Sequence, residues 1–416
     1  MLTSTLLPLA LVSAVASSLP SVAASPIQLA GQAPSVIGND GKVSRELLQH
    51  GFEQAIKRSV GQLETTKLEP RRERDCDLNR RSRKSKRSTQ TIPLINQNDI
   101  AYAAPIEVGT PAQQVHVLLD TGSADLLVPI KTEAFPAGTY EASRSRTLRK
   151  GDGSKTLFKF GDGNVEAEVV QDKVRIGQWI KLYQPFGLVD PSWLGQPAGL
   201  LGLSFSSISK IGSGTSFFDY LIKEKKLDKN LFGLYHTRGG ASGSQLTLGA
   251  ADSRRFSGEL TTLPTKSQTH WTLELNEATI DGETIFSDTV YAAIDSGSTQ
   301  ANFARVKGSF ADPKYIVEAE VNGERVVGQI YGYDCDATLP KLGFKFDGSD
   351  RVFEIDPADI FSFGSEDERG CYSNFIGADV TYYGQKAALI GVPFLKTWYS
   401  VFNFDDATVS FAAAKH

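Results

Sequence analysis

The chain is 416 residues long, 40 % hydrophobic and 22 % charged, with 38 glycines. That is too long for one ordinary domain and too apolar for a disordered polymer, so a leader plus two packed domains or lobes is expected. Of 44 basic and 48 acidic residues, the first 87 positions hold 14 and 8; the remainder carries 30 and 40, a formal charge of −10, which argues against nucleic-acid binding.

Residues 1–24 contain no charged side chain and include an apolar run through Leu6, Leu7, Leu9, Leu11 and Val12. Val22-Ala23-Ala24, or Ala14-Val15-Ala16, offers a small-residue cleavage site, so this stretch reads as a signal peptide. A membrane anchor is the alternative, but the run is short and broken by Pro8 and Pro20. The C-terminal Ala-Ala-Ala-Lys-His has no apolar tail for a lipid anchor. Residues 25–87 are polar and end in a basic run, Arg80, Arg81, Arg83, Lys84, Lys86 and Arg87. Such a run is commonly a solvated tail or a nucleic-acid patch. Between a leader and an acidic body it reads better as a propeptide cut after the dibasic pair Lys86-Arg87, and it is expected to partner its own body by charge.

From residue 88 the pattern is strand-like. Gln113 to Leu119 alternates, with Val115, Val117 and Leu119 on one face. Further strands are expected at Glu166 to Ile176, Gln245 to Leu248, Thr272 to Ile280 and Val401 to Phe404. Asp-Gly turns lie at 152, 162, 281 and 347. Ser216 to Lys226 is the clearest helix. Cys76 falls in the propeptide, while Cys335 and Cys371 lie 36 residues apart in the body. In an oxidising compartment they read as one disulfide, with two buried thiols as the alternative. No zinc-type spacing occurs, so neither a metal nor another cofactor is expected.

The body carries an internal repeat. Leu118-Leu119-Asp120-Thr121-Gly122-Ser123 matches Ala293-Ile294-Asp295-Ser296-Gly297-Ser298. Downstream of each comes a second shared string, Gly199-Leu200-Leu201-Gly202-Leu203 and Ala388-Leu389-Ile390-Gly391-Val392. The separations are 82 residues (120 to 202) and 96 (295 to 391). Two lobes related by a pseudo-twofold axis are expected, 88–260 and 261–416.

A carboxylate at the end of an apolar strand is costly unless hydrogen-bonded. Gly122 and Gly297 let the backbone turn sharply and bring amides to the acid. Ser123 and Ser298 can donate to the outer oxygens, and Thr121 and Ser296 can reach the opposite loop. Two facing carboxyl groups cannot both ionise, so the pair holds an acid and a base in one place. The ionised member would take a proton from a water, and the neutral member would donate toward the scissile carbonyl. The five histidines form no His-Glu-x-x-His, and no Gly-x-Ser-x-Gly occurs. His116 reads as a strand-face residue. A tight turn with an Asp cap is the structural alternative for either loop.

Asp-Thr-Gly-Ser and Asp-Ser-Gly-Ser, each followed by an apolar-apolar-Gly string, resemble the pepsin-like secreted aspartic proteases of fungal type, over essentially all of 92–413. The resemblance implies an all-β, bilobal fold with a cleft for an extended peptide. It implies a zymogen active in acid, secreted or vacuolar, acting as a monomer on protein or peptide substrates. Asp120 and Asp295 would be catalytic. A non-catalytic peptide-binding or inhibitory protein of the same fold is the alternative.

The family's flap, usually Tyr-Gly-x-Gly, matches Phe160-Gly161-Asp162-Gly163 here, and its Leu-Trp-Val-Pro run reads Leu126-Leu127-Val128-Pro129. The usual tyrosine–tryptophan hydrogen bond is thus replaced by two apolar partners, and losing both together can be nearly neutral. By the same resemblance Phe160, Phe186 and Leu200 would line the pocket before the scissile bond. Asp162 could accept a lysine there.

Overall fold

The computed structural model describes residues 87–416 apart from 98, 161–162, 195–197, 288, 300, 304–312, 322–323, 335–337, 339, 365–369, 379 and 383–384. The signal peptide and the propeptide up to Lys86 lie outside the described residues, as do Gly161, Asp162 and Cys335.

The described chain is mostly β-structure in three sheets. One eight-stranded sheet draws only on residues of the first half, from Ile95–Gln97 to Gly199–Gly202. A twelve-stranded sheet draws only on the second half, from Thr272–Ile280 to Gln385–Ile390. A six-stranded sheet joins them. Its order is Gln90–Pro93, Gln245–Leu248, Leu231–Tyr235, Trp398–Asn403, Thr408–Ala414, Phe256–Pro264. Two of the expected strands have the bounds read from sequence, Gln245–Leu248 and Thr272–Ile280. The helix is shorter than the expected Ser216 to Lys226, spanning Phe217–Lys223. Ser216 caps it, its hydroxyl accepting from the Asp219 amide at 3.0 Å.

The strand Gln113–Asp120 shows why this architecture follows from the pattern. Val115, Val117 and Leu119 enter the main core, whereas Leu118 enters a second cluster on the other face. A strand apolar on both faces near its end must be covered on both sides, and here it is. The main core runs through both halves. Trp271 is fully buried between Phe205 at 4.3 Å and Phe402 at 5.3 Å, ring centre to ring centre. Its indole N–H donates to Leu203 O at 3.0 Å. Aromatic burial of this kind welds the lobes through their shared sheet.

The sequence repeat is a repeat of topology. Gln113–Asp120 pairs in parallel with Gly199–Gly202, placing Asp120 opposite Gly202. Val290–Ile294 pairs in parallel with Gln385–Ile390, placing Ile294 opposite Ile390. The strand after each Asp loop then adds antiparallel to the same partner: Leu126–Pro129 to Gly199–Gly202, and Ala301–Phe303 to Gln385–Ile390. Each downstream string is therefore the strand held between the two arms of its Asp loop. Gly202 has to be glycine for this. A Cβ there would lie 2.4 Å from the Asp125 amide nitrogen.

Candidate active site

Both Asp loops end at one point between the lobes. Asp120 and Asp295 are each 1 % exposed. The Gly122 amide donates to Asp120 Oδ1 at 2.9 Å, and the Gly297 amide donates to Asp295 Oδ1 at 2.8 Å. Ser123 Oγ donates to Asp120 Oδ2 at 2.5 Å. Ser298 is buried in the matching place, and its amide donates to Asp295 O at 3.3 Å.

The loops are also tied to each other. The Thr121 amide donates to Ser296 Oγ at 3.1 Å, and the Ser296 amide donates to Thr121 Oγ1 at 2.9 Å. Thr121 Oγ1 donates onward to Ile294 O, and Ser296 Oγ to Leu119 O, both at 2.8 Å. Each hydroxyl thus accepts from one loop and donates to the strand of the other. All of these atoms are buried, so the bonds are worth more than exposed ones and cannot be exchanged for water. They fix the separation and angle of the two carboxylates before any ligand arrives.

That separation is small. A methyl group on Gly297 would lie 2.5 Å from Asp120 Oδ1 and 3.2 Å from Asp295 Oδ1. Only glycine lets both acids approach this spot.

The chain matches the family "Eukaryotic aspartyl protease" over residues 101–414. It belongs to that family. This aspartyl protease is 30 % identical to Vacuolar protease A of Arthroderma otae over 341 residues, 79 % of this chain and 82 % of that protein. It is 32 % identical to Pepsin F of Oryctolagus cuniculus over 335 residues, 77 % and 83 % of the two chains. It is 30 % identical to Cathepsin E of Aquarana catesbeiana over 343 residues, 78 % and 82 %. It is accordingly an aspartic endopeptidase with the bilobal pepsin-like fold, acting on protein substrates.

In this protease the segment matched to the family's flap is a hairpin, Lys155–Phe160 against Gly163–Ile176, with Phe160 paired to Gly163. Phe160 is 8 % exposed and packs in the second cluster with Leu118, Leu127, Phe158, Leu194 and Leu200. Phe160 and Leu127, the two apolar replacements, therefore share one cluster. Phe186 does not join them. Its position in the alternating strand Trp179–Val189 turns it into the main core, edge-on to Tyr140 at 6.0 Å. Cys371 is on strand Gly370–Ala378, but its side chain lies outside the described part, as does Cys335. His116 sits on its strand opposite Pro105, and burial lowers its pKa.

Three further residues were not singled out from sequence. Asp125 follows the first Asp loop and is buried; it accepts from Ser209 Oγ at 2.5 Å and from the Lys210 amide at 2.7 Å. Burial pushes its pKa up, against the pull of these bonds. Its signal was available: an acid immediately before the wholly apolar Leu126–Pro129 strand has to be satisfied somewhere. Trp193 replaces no expected residue, but its ring lies 5.1 Å from that of Phe160. Asp359 is buried against Arg238 and Lys396. Among the described residues no group of three His, Cys, Asp or Glu could hold a metal ion.

Proposed function

We propose that Asp120 and Asp295 are the catalytic pair of this endopeptidase and that they share one proton in the working state. The observation that carries this is the convergence of both carboxylates on the Gly297 backbone, with the reciprocal Thr121–Ser296 bonds holding them there. The ionised carboxylate takes a proton from a water as its oxygen attacks the peptide carbonyl carbon. The neutral carboxyl donates its proton to the carbonyl oxygen. The tetrahedral species then collapses, the C–N bond breaks and the amine leaves with a proton returned from the pair. No covalent intermediate forms. The Gly122 amide holds Oδ1 of Asp120 and the Ser123 hydroxyl its Oδ2, the Gly297 amide holds Oδ1 of Asp295, and Ser298 occupies the matching place in the second loop.

The same proposal extends to maturation. Residues 1–24 act as a signal peptide and 25–87 as a propeptide, leaving lobes 88–260 and 261–416 in a monomeric, acid-active enzyme of the secretory route, extracellular or vacuolar. The Ser88 amide donates to Lys226 O at 3.0 Å, so the body is anchored one residue beyond Arg87, which supports a cut at that bond. No helix among the described residues is long and apolar enough to cross a membrane. Cys335 and Cys371 form the body disulfide. Phe160 and Leu200 line the apolar pocket, and Asp162, outside the described residues, would accept a substrate lysine.

Cleavage of an acid-denatured protein from about pH 2.5 to about pH 7 tests the reading, with and without a statine-type inhibitor. Asp120→Asn and Asp295→Asn should each lower activity by at least about 10³-fold while the fold survives. Cleavage that persists in either variant would remove that residue from the pair. Both loops are whole, and no observation favours a non-catalytic peptide binder.

A further inference from the structure

Trp193 ends the short 3₁₀ turn Pro191–Trp193, which Asp190 caps by accepting from the Ser192 amide at 2.9 Å. The turn fixes the indole against the cluster of Leu118, Leu127, Phe160 and Leu200. Leu118 lies two residues before Asp120, and Leu200 two residues before Gly202, which pairs with Asp120. The indole thus borders the apolar surface directly beside the proposed dyad. Its Nε1 is buried and has no hydrogen-bond partner. A buried donor without a partner is destabilising and calls for a reason.

The nearest ring cannot supply one. Phe160 stands 5.1 Å away, tilted 38° to the indole, and has no acceptor atom. Gln97 Oε1 is a second buried side-chain atom without a partner. It lies on strand Ile95–Gln97, whose Ile95, on the same face, packs against that cluster. A donor and an acceptor beside one apolar surface match the carbonyl and amide groups of an extended peptide, which a cleft must pair if it is to exclude water.

We propose that Trp193 positions the bound peptide by donating its indole N–H to a substrate backbone carbonyl beside the Phe160 hairpin. The inference rests on the catalytic reading above. Binding gives the indole the partner that the free enzyme withholds, so the bond favours substrate and transition state alike. It therefore acts on KM and leaves kcat nearly unchanged.

The test is Trp193→Phe in the mature enzyme, with oligopeptide substrates and a statine-type inhibitor in acid. KM and the inhibitor Kd should each rise about 3–10-fold, with kcat within about twofold of the parent. Thermal stability should not fall, because the lost N–H had no partner in the free protein. Phe160→Tyr supplies an internal acceptor, and in that background Trp193→Phe should lower Tm. The proposal is overturned if KM and Kd keep their parent values, if the loss is confined to kcat, or if Trp193→Phe lowers Tm without weakening binding. Failure of the catalytic reading shows separately, as cleavage surviving in Asp120→Asn.

Discussion

The two halves of the molecule share their Asp loops and the strands that clasp them, then part company one residue later. After Gly202 the first half runs into a loop, Ser204 to Ile211, pinned by Asp125. After Gly391 the second half runs into helix Val392–Thr397, which is pinned by Asp359. Each lobe thus ties down its downstream segment with a buried carboxylate, but the chemistry differs. Asp125 receives a hydroxyl and backbone amides and makes no ion pair among the described residues. Asp359 receives Arg238 through Nε at 2.9 Å, Lys396 Nζ at 3.4 Å and Thr397 Oγ1 at 2.8 Å. The shared part is what two facing acids require. The divergent part is packing, where any satisfied arrangement serves. One anchor is built from a hydroxyl and amides, the other from cationic side chains and a hydroxyl.

The sharpest way to break the comparison is Asp359→Asn. Lys396 and Asp359 are only 4 % and 1 % exposed, and Arg238 retains Asp356 at 3.1 Å as a second partner. The change therefore strands Lys396 as a buried charge. It should cost about 3–5 kcal/mol in unfolding free energy, read by denaturant titration at a fixed pH. A cost below about 1 kcal/mol would mean that Lys396 relaxes to solvent. The shared part can be tested by its own symmetry. Thr121→Val and Ser296→Ala each leave one amide and one carbonyl of the opposite loop without a partner. Each should cost about 1–3 kcal/mol, nearly equally, and the double change should cost less than the sum because the bonds act as one network. Unequal single effects would show that one lobe carries the loop and the other follows.

How much of this was legible in sequence divides along the same line. The Asp loops and their downstream strings could be read because catalytic geometry constrains each residue type: an acid, a small hydroxyl, a glycine that nothing larger can replace. The pairing of Asp120 with Gly202 was implicit in a shared order, and the structure turns that order into adjacent strands. Asp359 and Lys396 could not be read, because an acid and a lysine 37 positions apart carry no local signature of meeting. Phe186 shows the limit of matching by position. The match names a residue, but the register of strand Trp179–Val189 decides which face it takes, and that face belongs to the main core. Trp193 was invisible for a similar reason: its significance lies in a bond it does not make.

The smallest expected effect separates the two anchors by pH. In Asp125 burial penalises the charged form more than its hydrogen bonds favour it, so its folded pKa stands above the usual carboxylate value. An unfolded Asp titrates near about 3.9. Below that value both states hold the proton and the group is neutral toward stability. Between it and the raised folded value, only the folded state stays protonated. There, stability falls as pH rises, until the folded group also ionises and the penalty becomes constant. Asp125→Asn removes this slope while keeping one acceptor for the Lys210 amide. The variant's Tm should fall short of the parent in strong acid by the weakened Ser209 bond, and the gap should narrow or reverse toward neutral pH. Parallel Tm curves would show that the bonds from Ser209, Lys210 and Ile211 already balance burial, and that the first lobe's anchor tolerates its charge. A gap that closes with pH would make Asp125 one reason why this fold is better suited to acid than to neutrality.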